Sequence, residues 1–158
     1  MNRLVLALLC CGCTAVQAAE NLNFHGTLIA QPPCTISNDQ IVEVNFSNVL
    51  INAIDGAHFI QDVPYKITCE DALPGDTSPM TLTLSGSVTD YNSAAIKTDI
   101  PDLGIELRQD DKAFTVGSMI VINPQSIPTL KAVPVKRSGA TLQEGGFEAW
   151  ATLQVDYQ

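Results

Sequence analysis

The stretch EGGFEAWATLQVDYQ, Glu144 to Gln158, decides the fold. One alternating set, Phe147, Ala149, Ala151, Leu153, Val155 and Tyr157, is apolar throughout. The intervening set is Glu148, Trp150, Thr152, Gln154 and Asp156. A period of two over this length marks a β-strand with one face buried and one face in water. A strand inside a sheet has a neighbour on each side, and no residue follows Gln158 to supply one. The strand is therefore expected to need a partner from elsewhere.

Working back from that strand, the same period recurs. Leu22, Phe24, Gly26 and Leu28 alternate with polar residues, Pro32-Pro33 interrupts, and Cys34-Thr35-Ile36 resumes. Val42, Val44 and Phe46 follow, then Val63 to Cys69, Met80 to Leu84, Leu103 to Leu107, Met119 to Ile122 and Leu130 to Val135. Turn signals separate them: Ser37-Asn38-Asp39, Asp55-Gly56, Pro74-Gly75-Asp76, Asn123-Pro124 and Ser138-Gly139. No window past the first residues keeps a helical period. Many short strands at this spacing predict an all-β sandwich.

Residues 1–18 have the form of a signal peptide, with Arg3, an apolar run from Leu4 to Leu9, and Val16-Gln17-Ala18 before the cut. A lipoprotein cut at Cys13 is the lesser alternative, since Cys10 stands where leucine is usual. The apolar run is short for a membrane span, no other stretch is long enough, and no direct membrane insertion is expected. Of the five cysteines, Cys34 and Cys69 lie beyond the leader. In an exported chain such a pair favours a disulfide over a metal or redox site, and the chain holds only 2 histidines. Closing a loop of about 36 residues would stabilise by roughly 3–4 kcal/mol in the loop-entropy account.

The chain carries 8 Lys and Arg against 17 Asp and Glu, a formal net charge of −9. Phosphate recognition needs clustered cations, so nucleic acid is excluded as a partner. Catalysis lacks its parts as well. A Ser-His-Asp arrangement would have to use His25 beside Gly26 or His58 in the Asp55-Gly56 loop, and no nucleophile elbow, zinc-protease helix or phosphate loop occurs. Asp99, Asp102, Asp110 and Asp111 lack the density of a calcium loop and read as solvated turns. No enzyme activity, cofactor or metal is expected. Trp150, on the polar face of the last strand, reads as a cross-strand packing residue, with carbohydrate stacking as the alternative.

Both ends together carry a resemblance. The segment ENLNFHGTLIAQPPCTI, Glu20 to Ile36, is an alternating strand with an internal glycine, followed by prolines and a cysteine. At the other end stand VPVKRSGATLQEGGF, Gly145, Phe147, Ala149, Ala151 and a penultimate Tyr157. This combination resembles the pilins of chaperone–usher fimbriae of Gram-negative bacteria, and within them the minor tip-fibre and adaptor subunits of P-type pili. The resemblance implies an incomplete immunoglobulin-like β-sandwich of six strands, with the seventh supplied in trans. It implies residues 1–18 as signal peptide, 19–30 as a donor-strand extension and 31–158 as the pilin domain.

The resemblance also implies a mechanism. A periplasmic chaperone lends a strand, and at the outer-membrane usher the amino-terminal arm of a neighbouring pilin replaces it, by strand addition to a sheet edge. Leu22, Phe24, Gly26 and Leu28 are then the donor residues, with Gly26 passing a tight point of the groove. Gly145, Phe147, Ala149, Ala151, Leu153, Val155, Tyr157 and Gln158 form the acceptor groove and chaperone-binding strand, with the carboxylate of Gln158 held by chaperone cations. The chain would leave the cell through the periplasm into a surface fimbria serving adhesion. The alternatives are a one-domain tip adhesin binding a host glycan, a fibre-terminating pilin, and a self-contained immunoglobulin-like protein whose first strand pairs at home.

Overall fold

A computed structural model describes residues 22–28, 33–70 and 78–157. The chain divides into two units, residues 1–30 and 31–158. In the first, residues 22–28 have no strand pairing, and Leu22, Phe24 and Leu28 are 72%, 85% and 102% exposed. The alternation that predicts a strand here is present, but a lone segment has no hydrogen-bonding edge against which to become one.

The described residues of the second unit hold ten strands: β1 (Cys34–Ile36), β2 (Gln61–Asp62), β3 (Ile67–Cys69), β4 (Met80–Gly86), β5 (Ala95–Lys97), β6 (Leu103–Gln109), β7 (Lys112–Ala113), β8 (Met119–Ile122), β9 (Leu130–Lys136) and β10 (Ala151–Tyr157). Short 3-10 turns at Ser37–Asp39 and Ile51–Ala53 are the only helical pieces among the described residues. Every pairing is antiparallel. One sheet runs β10-β4-β8, a second runs β2-β9-β6-β5 with β7 on β6, and β1 pairs with β3.

β4 shows why the sequence makes this sandwich. Met80, Leu82 and Leu84 are buried to 1% exposure or less, and they pair across β10 and β8 with the register Leu82↔Val155 and Leu82↔Ile120. They join Ile96, Leu107, Phe114, Ile122, Leu130 and Val155 in one core between the sheets. A smaller cluster of Ile54, Leu103 and Leu142 closes one end. β9 is buried on both faces, as its unbroken apolar run Ala132–Val135 implies. Pro134 is tolerated there for a local reason. Val63 donates to the carbonyl of Leu130 on the β2 edge, and by alternation the backbone of Pro134 faces that same edge, past the point where β2 ends.

Over the outer face of the second sheet lies a strap, residues 87–94. Its Tyr91 packs on Ala95, Val133 and Val135 and donates its hydroxyl to the carbonyls of Asp102 and Val135. Arg137 sits 4.9 Å over the Tyr91 ring and pairs with Asp90 and Asp102. Cys34 and Cys69 face each other across β1 and β3 and are bonded, so the cross-link ties an early strand to its spatial neighbour.

Candidate strand-accepting groove

The site is built from the free edge of β10. β4 is hydrogen-bonded along one side of β10, and among the described strands none is hydrogen-bonded along the other. On that open side lies a groove of about 1530 Å³. Its first flank is formed by residues 143–155, leading into and along β10. Its second flank is formed by residues 39–52. In this second flank Val42, Val44 and Phe46 are half-buried while Ile41, Glu43 and Asn45 are exposed, the burial pattern of a strand. Yet residues 40–46 pair with no strand. Ser47, at a φ of 53°, ends the run, its N–H held at 2.7 Å by the Asn45 side-chain carbonyl.

Core side chains make the floor: Leu84, Ile96, Leu103, Ile105, Leu107 and Leu142 all line it. At one end the rings of Phe46 and Phe147 meet across the flanks with centroids 6.0 Å apart. Cys34, Ile36, Val63 and Val155 also line the groove. The geometry therefore presents two unpaired extended segments over an apolar bed. An extended segment laid between the flanks could bond to them through its backbone and cover the bed with alternate side chains.

The residues expected to form the acceptor strand are brought together only in part. Gly145, Phe147, Ala149, Ala151, Leu153 and Val155 line the groove. Along β10 the apolar face is covered unevenly: Val155 is buried, Leu153 is half-buried and Ala151 is exposed, because the groove lies open beside them. Tyr157 packs against the main core instead of lining the groove. Gln158 lies outside the described residues. The strand proper begins at Ala151; Ala149 makes an isolated bridge with Thr98, and Asp99 both donates its N–H to the Glu148 carbonyl and accepts the Glu148 N–H. The second flank and the floor were not among the expected site residues. The alternation of Val42, Val44 and Phe46 between two turn signals was the available clue to the flank.

His58 and the aspartates weighed for chemistry have structural partners. His58 Nδ1 lies 2.8 Å from Asp55 Oδ2 on an exposed loop. The backbone N–H groups of His58 and Ala57, then the His58 side chain, lower the Asp55 pKa to about 2. Lys131 pairs with Asp111 at 2.8 Å and holds that carboxyl below its ordinary range, and Asp102 pairs with Arg137. Among the described residues no three His, Cys, Asp or Glu side chains gather as for a metal. Trp150 is 66% exposed on the groove rim.

The fold and site define an incomplete immunoglobulin-like β-sandwich. The chain belongs to the fimbrial protein family, whose model, described as "Fimbrial protein", matches residues 22–158. It is thus a fimbrial subunit, a structural protein and not an enzyme. It is 42% identical to the Escherichia coli (strain K12) "Uncharacterized fimbrial-like protein YfcQ" over 162 residues, covering 100% of both chains. It is 38% identical over 134 residues to "Uncharacterized fimbrial-like protein YfcR" of the same organism, covering 82% of this chain and 75% of that one. In fold it is similar to the P pilus adaptor subunit PapF, with a TM-score of 0.57, 23% identity, and coverage of 82% of this chain and 98% of that one. For the P pilus rod subunit PapA the TM-score is 0.61 at 21% identity, covering 87% and 99%.

Proposed function

We propose that this protein is a minor structural subunit of an adhesive fimbria that is joined to its neighbours by strand exchange. The groove beside β10 receives a strand first from a periplasmic chaperone, and at the outer-membrane usher from the arm of another subunit. Its own arm, carrying Leu22, Phe24, Gly26 and Leu28, is the strand it gives to the groove of a neighbour. The observation that carries this reading is the unpaired edge of β10 facing residues 40–46 across an uncovered part of the core. The exposure of Leu22, Phe24 and Leu28 supports the other half, since large apolar side chains held in water are matched to a bed elsewhere.

Magnitudes agree. Burying three such side chains at roughly 1.5–3 kcal/mol each amounts to about 5–9 kcal/mol before ordering costs. Each ladder hydrogen bond adds a net of about 0.5–1.5 kcal/mol. The testing experiment refolds the chain from Ala19 onward with and without a synthetic alternating peptide and follows urea unfolding. The peptide is expected to raise the midpoint strongly and to suppress aggregation. A cooperative monomer whose midpoint is indifferent to every strand peptide would sink the proposal.

A further inference from the structure

We propose that the groove selects a donor strand from another polypeptide that carries a lysine or arginine on its outward side, received by Glu43, Glu148 and Trp150. This rests on the strand-accepting reading above and names the chemistry of the occupant. A strand seated between the two flanks becomes the cross-strand neighbour of both. Its inward side chains meet the apolar floor, and its outward side chains lie beside the outward residues of each flank. On one flank those are Ile41, Glu43 and Asn45; on the other they are Glu148, Trp150 and Thr152, all exposed.

The rim is charged in one sense only. Asp39, Glu43, Glu144 and Glu148 line the groove, and no Lys, Arg or His does. None of the four takes part in an ion pair found among the described residues. An outward cation on the incoming strand therefore meets carboxylates on both sides and an indole face beside them, whereas an outward carboxylate is repelled twice. The chain's own segment Leu22–Leu28 presents Asn23, His25 and Thr27 as its outward set, without lysine or arginine. A second copy of this chain is accordingly a poorer occupant than a cationic strand from a different protein. The same arrangement gives Trp150 a role that core packing does not.

The test uses the chain from Ala19 onward and three peptides sharing one alternating apolar frame, with lysine, glutamine or glutamate at the outward positions. Binding is read by the emission of Trp150, the single tryptophan, and by anisotropy of labelled peptide. The lysine peptide is expected to bind on the order of tenfold more tightly than the glutamate peptide at low salt, with glutamine between them. The gap should shrink in high salt and in Glu43→Gln/Glu148→Gln, and Trp150→Ala should weaken the lysine peptide more than the glutamine one. Equal binding of all three peptides, or of a Leu22–Leu28 peptide and the lysine peptide, overturns the inference while leaving the strand-accepting reading intact. A gap that persists in the double variant also overturns it. Failure of every peptide to bind overturns the strand-accepting reading, and this inference with it.

Discussion

Gly104→Ala tests how tightly the strap over the outer sheet is seated. Gly104 lies in β6, opposite Val135 of β9 and Lys97 of β5. A methyl group there would meet Thr89 Cγ2 at 2.8 Å, the Ile96 carbonyl oxygen at 3.1 Å and the Tyr91 hydroxyl at 3.1 Å. Thr89 cannot simply rotate away, because its hydroxyl donates to the Asn92 carbonyl at 2.9 Å and accepts the Asn92 N–H at 3.1 Å. Ile96 is strand backbone and Tyr91 is held by two carbonyls, so the strap must lift. Overpacking of this kind costs about 1–3 kcal/mol. With a urea slope of about 1–3 kcal/mol per molar, the midpoint should fall by roughly 1 M. The measurement is urea unfolding by circular dichroism, with a strand peptide filling the groove so that one transition is followed. Gly26→Ala, where a methyl group meets nothing within 4 Å and which is no part of the groove lining, is the control and should be silent. Adding Thr89→Ser removes the closest atom while keeping the hydroxyl, and should recover part of the loss. Gly104→Ala as stable as the parent, or no recovery in the double variant, would refute the packing described.

Burial first, and then the charge of Asp110, push the Tyr65 phenol up to about 12, while its hydroxyl donates to the Pro128 carbonyl at 2.5 Å. Because the folded value lies above the ordinary value of about 10, the contribution of Tyr65 is complete below that pH and is lost as pH rises through about 12. Tyr65→Phe should abolish that alkaline loss and cost about 1 kcal/mol at neutral pH; a phenolate absorbance titration with every tyrosine ionising together near 10 would contradict it. Reducing the Cys34–Cys69 bond should cost roughly 3–4 kcal/mol, read as a lower urea midpoint in reductant, with Cys34→Ala/Cys69→Ala insensitive to it. Leu84→Ala should cost about 2–5 kcal/mol and also weaken strand peptides, since Leu84 is both core and groove floor. Gly26→Arg should leave stability unchanged, because nothing lies within 4 Å of a Cβ there, while a peptide bearing the change should no longer enter a neighbour's groove. Normal entry of that peptide would remove Gly26 from the donor set.

Much of this was legible in the residues because it is local. Met80, Leu82 and Leu84 sit where their period of two places them, and the unbroken run Ala132–Val135 announces a strand buried on both faces. β2, β5 and β7 span only two or three residues, too few to show a period, and exist through pairing to longer strands. The strap of residues 87–94 has no periodic signal at all; it is fixed by Tyr91, Arg137 and the absence of a side chain at Gly104. Phe147 and Ala149 share the alternation of the last strand but lie before β10, because β4 ends at Gly86 opposite Ala151 and offers them no partner.

Sequence by itself determined the strand-built class, since period and turn chemistry belong to each segment separately. It also placed Cys34 and Cys69 on different strands, and it wrote apolar alternation into residues 22–28 and 147–157. The last strand already announced a missing neighbour, but its second flank and the floor of the groove were settled only by the packing of distant segments. Whether β10 has a second neighbour depends on where residues 40–46 lie, and on the core side chains of β4, β6 and β9 being left uncovered between them. Strand pairing is a long-range choice between segments with the same period, so no window of the chain contains it.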